Sequence, residues 1–235
     1  MKRISLIISL VVLFALGANA QNGDLKFGLK LGPNFGWASS GSEVTENHGA
    51  RLGFDAGLVV DYYLTNVFAA STGVEFNFYR MKYDFTDYRS LDNILSEEKA
   101  MVSRRLKASN LEIPLKVKAK FNVADSFDAF VEAGFGLGFN LKDYGKDEFK
   151  FYWNMTDEPN FQSAIYEDCT GQYRVLQASM IFGLGAEYEL NQKLSVFALL
   201  SFHHAFSNAF NKALAEQTGS ILRNNFIGIE VGVMH

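Results

Sequence analysis

Residues 110–121 read Asn110-Leu111-Glu112-Ile113-Pro114-Leu115-Lys116-Val117-Lys118-Ala119-Lys120-Phe121. Every second residue is apolar, while the residues between are polar, charged or proline. Successive side chains of an extended chain point to opposite faces, so this order puts hydrocarbon on one side and charge on the other. A helix, with its period of 3.6, would mix the two sets. The segment reads as a β-strand, and a long one. Strands of soluble domains run to about 5–6 residues, whereas a tilted strand needs about 9–11 to cross a bilayer.

The same alternation recurs on either side. Leu52, Phe54, Ala56, Leu58, Val60 and Tyr62 oppose Arg51, Gly53, Asp55, Gly57, Val59 and Asp61. Phe127, Ala129, Val131, Ala133, Phe135, Leu137 and Phe139 oppose Asp128, Glu132, Gly134, Gly136, Gly138 and Asn140. Less regular runs at 25–37, 68–80, 175–190, 194–206 and 224–234 bring the expected number to about eight strands. Short connections (Thr65-Asn66, Asn122 to Ser126, Asn191 to Lys193) alternate with long ones at 38–50, 82–107, 142–173 and 207–223. Outer-membrane barrels have short periplasmic turns on one rim and long loops on the other, and this order puts both mature termini on the periplasmic side. Lipid offers backbone N–H and C=O groups no partner, so such a sheet must close. The expected fold is all-β: a closed antiparallel eight-stranded up-and-down transmembrane β-barrel over residues 21–235, in the outer membrane of a Gram-negative bacterium.

Composition agrees. Of 235 residues, 48% are hydrophobic and 14% aromatic, with 20 Gly and only 3 Pro, a balance suited to strands and tight turns. Met1-Lys2-Arg3, the apolar run Ile4 to Leu16 and the small-residue site Ala18-Asn19-Ala20 read as a signal peptide, residues 1–20, cleaved before Gln21. Beyond it no apolar run is long enough for a spanning helix. The formal net charge of −4 makes nucleic acid a poor partner. The single Cys169 has no internal disulfide partner.

If the apolar faces meet lipid, the charged faces look inward. The expected lumen network comprises Arg51, Asp55, Asp61, Glu75, Glu112, Lys116, Lys118, Glu132, Glu187 and Glu230, with Lys26, Lys30, Lys120 and Glu189 also turned inward. An eight-stranded interior is barely wide enough for side chains, so these groups should pair and plug it, which argues against a porin. Pro114 lacks an N–H and predicts a local bulge. Tyr62, Tyr63, Phe68, Phe76, Phe78, Tyr79, Phe121, Phe127 and Tyr188, near strand ends, are candidates for interfacial girdles.

Asn110 to Lys118 resembles the "LEIPLLLK" strand of PorT-like outer-membrane β-barrel proteins of the Bacteroidetes group. Gly28-Leu29-Lys30-Leu31-Gly32-Pro33-Asn34-Phe35 is similar to that family's opening strand "GIKGGLNFS", and Val131 to Gly138 to its glycine-rich strand. The resemblance covers essentially the whole mature chain and implies a small outer-membrane barrel. The family's named member is associated with type IX secretion and gliding. Barrels of this kind often end in an aromatic residue, whereas here the sequence reads Val233-Met234-His235.

Candidate chemistry is sparse. Gly134-Phe135-Gly136-Leu137-Gly138 has spaced glycines, but no Lys-Ser/Thr and no helix pattern follow to make a phosphate loop. His48, His203, His204 and His235 lack metal-ligand spacing, so no metal and no cofactor are expected. His203 and His204, near Ser201 and Ser207, are adjacent on a strand, so at most one faces lipid. In 142–173, Tyr144, Phe151, Tyr152 and Trp153 stand among acidic residues as candidate interaction residues. Segments 82–107 and 212–217 can each form a short helix. The expected function is non-enzymatic, structural or surface-interacting through long loops above a plugged lumen. Its expected partners are outer-membrane lipid, the barrel assembly machinery during biogenesis, and an envelope or secretion-system protein. The alternatives are a lipid-modifying enzyme with a rim His and a periplasmic lipocalin-like carrier, which needs an apolar lumen and a polar outside.

Overall fold

Ten strands follow one another in the computed structural model, which describes residues 25–40, 46–89, 98–151, 161–163, 167–219 and 221–235. They are β1 (Leu25–Ser40), β2 (Glu46–Tyr63), β3 (Phe68–Arg89), β4 (Glu98–Ala124), β5 (Phe127–Phe151), the short β6 (Phe161–Ser163) and β7 (Glu167–Asp168), then β8 (Leu176–Asn191), β9 (Leu194–Ala205) and β10 (Leu222–Met234). The eight long strands pair antiparallel in the ring order β4-β3-β2-β1-β10-β9-β8-β5, and the β4–β5 pairing closes it. The barrel is therefore up-and-down. The proposed signal segment lies outside the described residues.

Closure satisfies the backbone, and the side chains then sort by solvent. Leu29, Leu115, Val117, Phe135 and Leu184 on the outer wall are each more than half exposed, while Lys30, Glu75, Glu112, Lys116 and Glu230 inside are all buried. That is the reverse of a soluble carrier. Two-residue turns at Asp125-Ser126 and Gln192-Lys193 and the four residues Leu64 to Val67 form one rim. Phe27 and His235 exchange backbone hydrogen bonds of 2.8 and 2.7 Å, so the first and last strands end on that same rim.

The opposite rim departs from the sequence reading. The described residues of segment 82–107 form no helix: β3 continues to Arg89 and β4 begins at Glu98, and the two pair throughout these stretches. Likewise β5 runs to Phe151. Much of what reads as loop is strand rising beyond the apolar wall, because continued cross-strand pairing satisfies those backbones. Above that wall the side-chain pattern inverts. On β3 the inward set passes from Ser71, Glu75 and Asn77 to Tyr79, Met81, Tyr83 and Phe85, and on β4 Ala108, Leu106 and Val102 are buried while Lys107 and Arg105 are exposed. Water outside favours polar residues there, so the apolar ones turn in. Among the described residues a 3-10 turn at Thr170–Gln172 precedes β8, and the segment after β9 forms the one α-helix, α1 (Lys212–Thr218). The Asn211 side chain caps it by accepting from the Leu214 N–H at 2.7 Å, and Gly219 ends it at φ 63°, a left-handed conformation that glycine adopts without strain.

Two further readings need correction. Pro114 makes no bulge: Thr72↔Leu115 and Glu75↔Glu112 keep one register across it, and the ladder simply skips the positions between. Thr72 Oγ1 donates to the Pro114 carbonyl at 2.7 Å instead. The register slips lie elsewhere: at Leu141 of β5, between Asn47 and Ala50 and between Arg51 and Phe54 of β2, and beside the short turns at Asn122/Ala124 and Glu189/Asn191. Among the aromatic residues, Phe68, Phe76, Phe78, Phe121, Phe127 and Tyr188 face outward, but Tyr79 is buried in the interior and Tyr63 lines the mouth between the short turns.

Candidate functional site

The lumen is filled in layers. At its centre Lys30, projecting from β1, meets Glu75 of β3 at 2.7 Å and Glu230 of β10 at 2.6 Å, while Lys116 meets Glu132 at 2.6 Å and Glu75 at 3.9 Å. Toward the short turns Lys118 pairs with Asp61 at 2.8 Å and Glu187 at 3.7 Å, and Lys120 pairs with Asp128 at 2.8 Å. Hydroxyls and amides take up part of the remaining carboxylate capacity: Ser201 donates to Glu230, Ser195 to Glu187, Asn34 to Asp55, and Asn77 and Ser179 to Glu112. Buried charges persist only when paired and hydrogen-bonded in this way. Glycine makes room for them: a Cβ on Gly136 would lie 1.9 Å from Glu112 Oε1.

Of the residues read as the network, Asp55, Asp61, Glu75, Glu112, Lys116, Lys118, Glu132, Glu187 and Glu230 are buried in the interior. Arg51 is not. It is exposed, because the β2–β3 register slips just beyond it and breaks the alternation that would have turned it inward. The sequence reading also passed over an apolar layer of Val59, Phe130, Phe197, Leu199 and Met234, where the Lys118 ammonium lies 4.2 Å from the Phe130 ring centroid.

His203 belongs to the interior and His204 to the wall, as neighbours on a strand must. His203 stacks on Phe226 with centroids 4.0 Å apart, and its Nδ1 lies 3.2 Å from Glu112 Oε2. His204 Nδ1 lies 2.6 Å from Asn225 Oδ1. No local pattern groups His203 with Glu75 and Glu112, yet their ligand atoms fall within 4.8 Å of one another. Lys30 and Lys116 already supply Glu75 with positive charge, so the arrangement is that of an ion-pair cluster and not of a metal site. Beside it a cavity of about 20 Å³, lined by Glu112, Ser179, His203, Asn110 and Asn224, has room for little more than one water.

The long-loop rim is closed by a lid. The segment between β9 and β10 crosses the mouth, and α1 contacts β3, which stands opposite β9 in the ring. Phe210, fully buried, sits among Tyr83, Phe85 and Tyr173 at centroid distances of 6.0, 5.7 and 5.8 Å. Beneath the lid Arg104 makes a two-pronged bond to Asp147, both contacts at 2.6 Å, and lies over the Phe85 ring. Burial pushes the neighbouring Asp143 carboxyl up to about 6, offset in part by the amide of Asn140 that donates to it. Cys169 is packed here too, and burial pushes its thiol up to about 12. With little thiolate and little access, it should react with maleimide far more slowly in the folded barrel than in denaturant; equal rates would mean the lid is open.

The candidate loop residues are scattered. Tyr144 is on β5 and partly exposed, directly opposite Lys107; Phe151 ends β5; Tyr152 and Trp153 lie outside the described residues.

A family model described as the outer membrane protein beta-barrel domain matches residues 19–211. The chain belongs to that family. Within it, this outer-membrane barrel is similar to solved barrels at low identity. Neisserial surface protein A shares 10% identity over 91% of this chain and 99% of the other, with a TM-score of 0.43. OprG of Pseudomonas aeruginosa shares 13% over 91% and 97%, with a TM-score of 0.39. Ail of Yersinia pestis, solved with the heparin analogue sucrose octasulfate, shares 12% over 92% and 100%, with a TM-score of 0.36. Comparison with curated protein sequences gives no match.

Proposed function

We propose that this outer-membrane barrel is a non-enzymatic, non-conducting scaffold that presents a rigid long-loop rim to another component of the cell surface. The observation that carries this reading is the double closure: a lumen packed with reciprocal ion pairs beneath a lid anchored by Phe210. A pre-folded rim loses little conformational entropy when it binds, which suits a docking surface. The PorT-like strand at 110–118 carries Glu112, Lys116 and Lys118 into the lumen, so in this reading the motif specifies the plug and leaves the partner to the rim. An envelope or secretion-system protein is the partner we favour, with the short-turn rim periplasmic.

A photo-crosslinker in place of Glu216, exposed on α1 of the lid, tests this in intact cells. Discrete protein adducts there, and none from a crosslinker in place of Gln192 on the short-turn rim, are the expected result. Adducts only to lipid, or ion conductance through the purified barrel in planar bilayers, would overturn it.

A further inference from the structure

The outer wall changes character abruptly on one side of the barrel. On β2 and β3 the apolar surface ends at Leu52 and Phe78 and the next outward positions are Arg51 and Arg80, while on β4 Ser109 and then Lys107 follow Leu111, and on β5 Lys142 and then Tyr144 follow Leu141. One step higher stand Lys82, Arg105 and Lys146. Register makes these rows continuous: Arg51 pairs with Arg80 and Arg80 with Lys107, while Lys82 pairs with Arg105 and Arg105 with Lys146. Adjacent strands are about 4.8 Å apart, so each of these six cations has at least one like-charged neighbour directly across the sheet, an arrangement that is unfavourable without a counter-charge.

Around Arg51, Arg80 and Lys82 the protein supplies little of it. Among the described residues Glu148 reaches Arg105 at 3.1 Å, Asp84 is engaged by His48 at 2.7 Å, and Asp147 is turned inward to Arg104. At the same height the opposite wall is sparser in charge: Asn225 bonds to Ser39 and His204, and Arg223 stands across from Ser39 without a cation paired to it. The cations are therefore gathered on one half of the circumference, immediately above the hydrocarbon-facing surface, at the level of lipid headgroups.

We propose that Arg80, Lys82 and Arg105, flanked by Arg51, Lys107 and Lys146, form a seat for the phosphate groups of an anionic lipid headgroup in the leaflet at the long-loop rim. The guanidinium groups of Arg80 and Arg105 match phosphate oxygens two at a time, and the ammonium of Lys82 adds a point charge between them. Tyr144, beside Lys107 and under the Lys142 ammonium at 4.8 Å, places an aromatic ring at the same interface. This inference rests on the membrane reading above and deepens it by naming a lipid class.

The test uses full-length barrel folded into phosphatidylcholine vesicles carrying a minor fraction of either diphosphorylated lipid A or the same lipid with its phosphates removed, followed by detergent extraction and measurement of lipid A retained per barrel. Wild type should retain the phosphorylated lipid at least tenfold over the dephosphorylated one. The triple variant R80Q/K82Q/R105Q should lose that preference, and K212Q on α1 should keep it. Single variants R80Q and R105Q, each expected to lose about fivefold, serve if the triple variant does not fold. Equal retention of the two lipids by wild type, an undiminished preference in the variants, or complete displacement by millimolar inorganic phosphate, which would mark a free-ion site, overturns the proposal. Heat-modifiable migration on gels reports the barrel separately, so a lost preference with the barrel intact fails the seat and not the membrane assignment.

Discussion

Lys30→Met should lower the stability of the folded barrel by about 3–5 kcal/mol, the range measured when one member of a buried ion pair is removed. Lys30 holds two carboxylates, Glu75 at 2.7 Å and Glu230 at 2.6 Å, and all three side chains are almost wholly inaccessible. Its loss leaves two like charges in a medium that screens them poorly. Urea unfolding in lipid vesicles would read the change. The compensated variant Lys30→Met/Glu75→Gln/Glu230→Gln should recover much of the loss, since the penalty comes from orphaned charge and not from a missing attraction. Glu112→Ala should be costly for the same reason, because Asn77, Ser179 and His203 all converge on that carboxylate. A Lys30→Met barrel as stable as wild type would mean that the interior is wet enough to solvate the freed carboxylates.

Phe210→Ala should act on a different part of the molecule. Truncating a fully buried aromatic side chain costs about 3–5 kcal/mol, but Phe210 belongs to the segment that crosses the mouth, so the loss falls on docking of the lid and not on closure of the sheet. Barrel unfolding should change little while the Cys169 thiol becomes accessible. Three kcal/mol of lost docking corresponds to at least about a hundredfold faster alkylation. If Cys169 stays equally protected, the lid is held by something other than its aromatic anchor, and the Arg104–Asp147 pair beneath it would be the next element to remove.

The barrel itself was legible because alternation in Leu111 to Phe121 and its counterparts is imposed by two different solvents on two faces of one sheet. The centre of the lumen was legible for the same reason: Glu112, Lys116 and Glu132 are where period two puts them. Arg51 was not, since a register slip costs one residue and leaves no mark in the sequence, and the alternation was carried straight through it. The strands above the membrane were read as loops or a helix because there the same period-two pattern runs with its meaning reversed. Tyr79, Met81, Tyr83 and Phe85 lie inward, on the face that lower down carries Glu75. His203 joined Glu75 and Glu112 only through closure of the ring, a contact between distant strands that no local pattern encodes.

The reversal on β3 and β4 also fixes immersion depth. Sinking by two residues, about 7 Å of strand, would drag Arg80 and Lys107 into hydrocarbon, where a cation costs up to about 2–4 kcal/mol at mid-depth; rising by as much would lift Phe78 into water. Each of these two strands thus carries its own waterline, written as the point where its greasy face changes sides. A barrel marked in this way cannot bob to suit a thicker or thinner bilayer, so lipid around it must stretch or compress to meet that line.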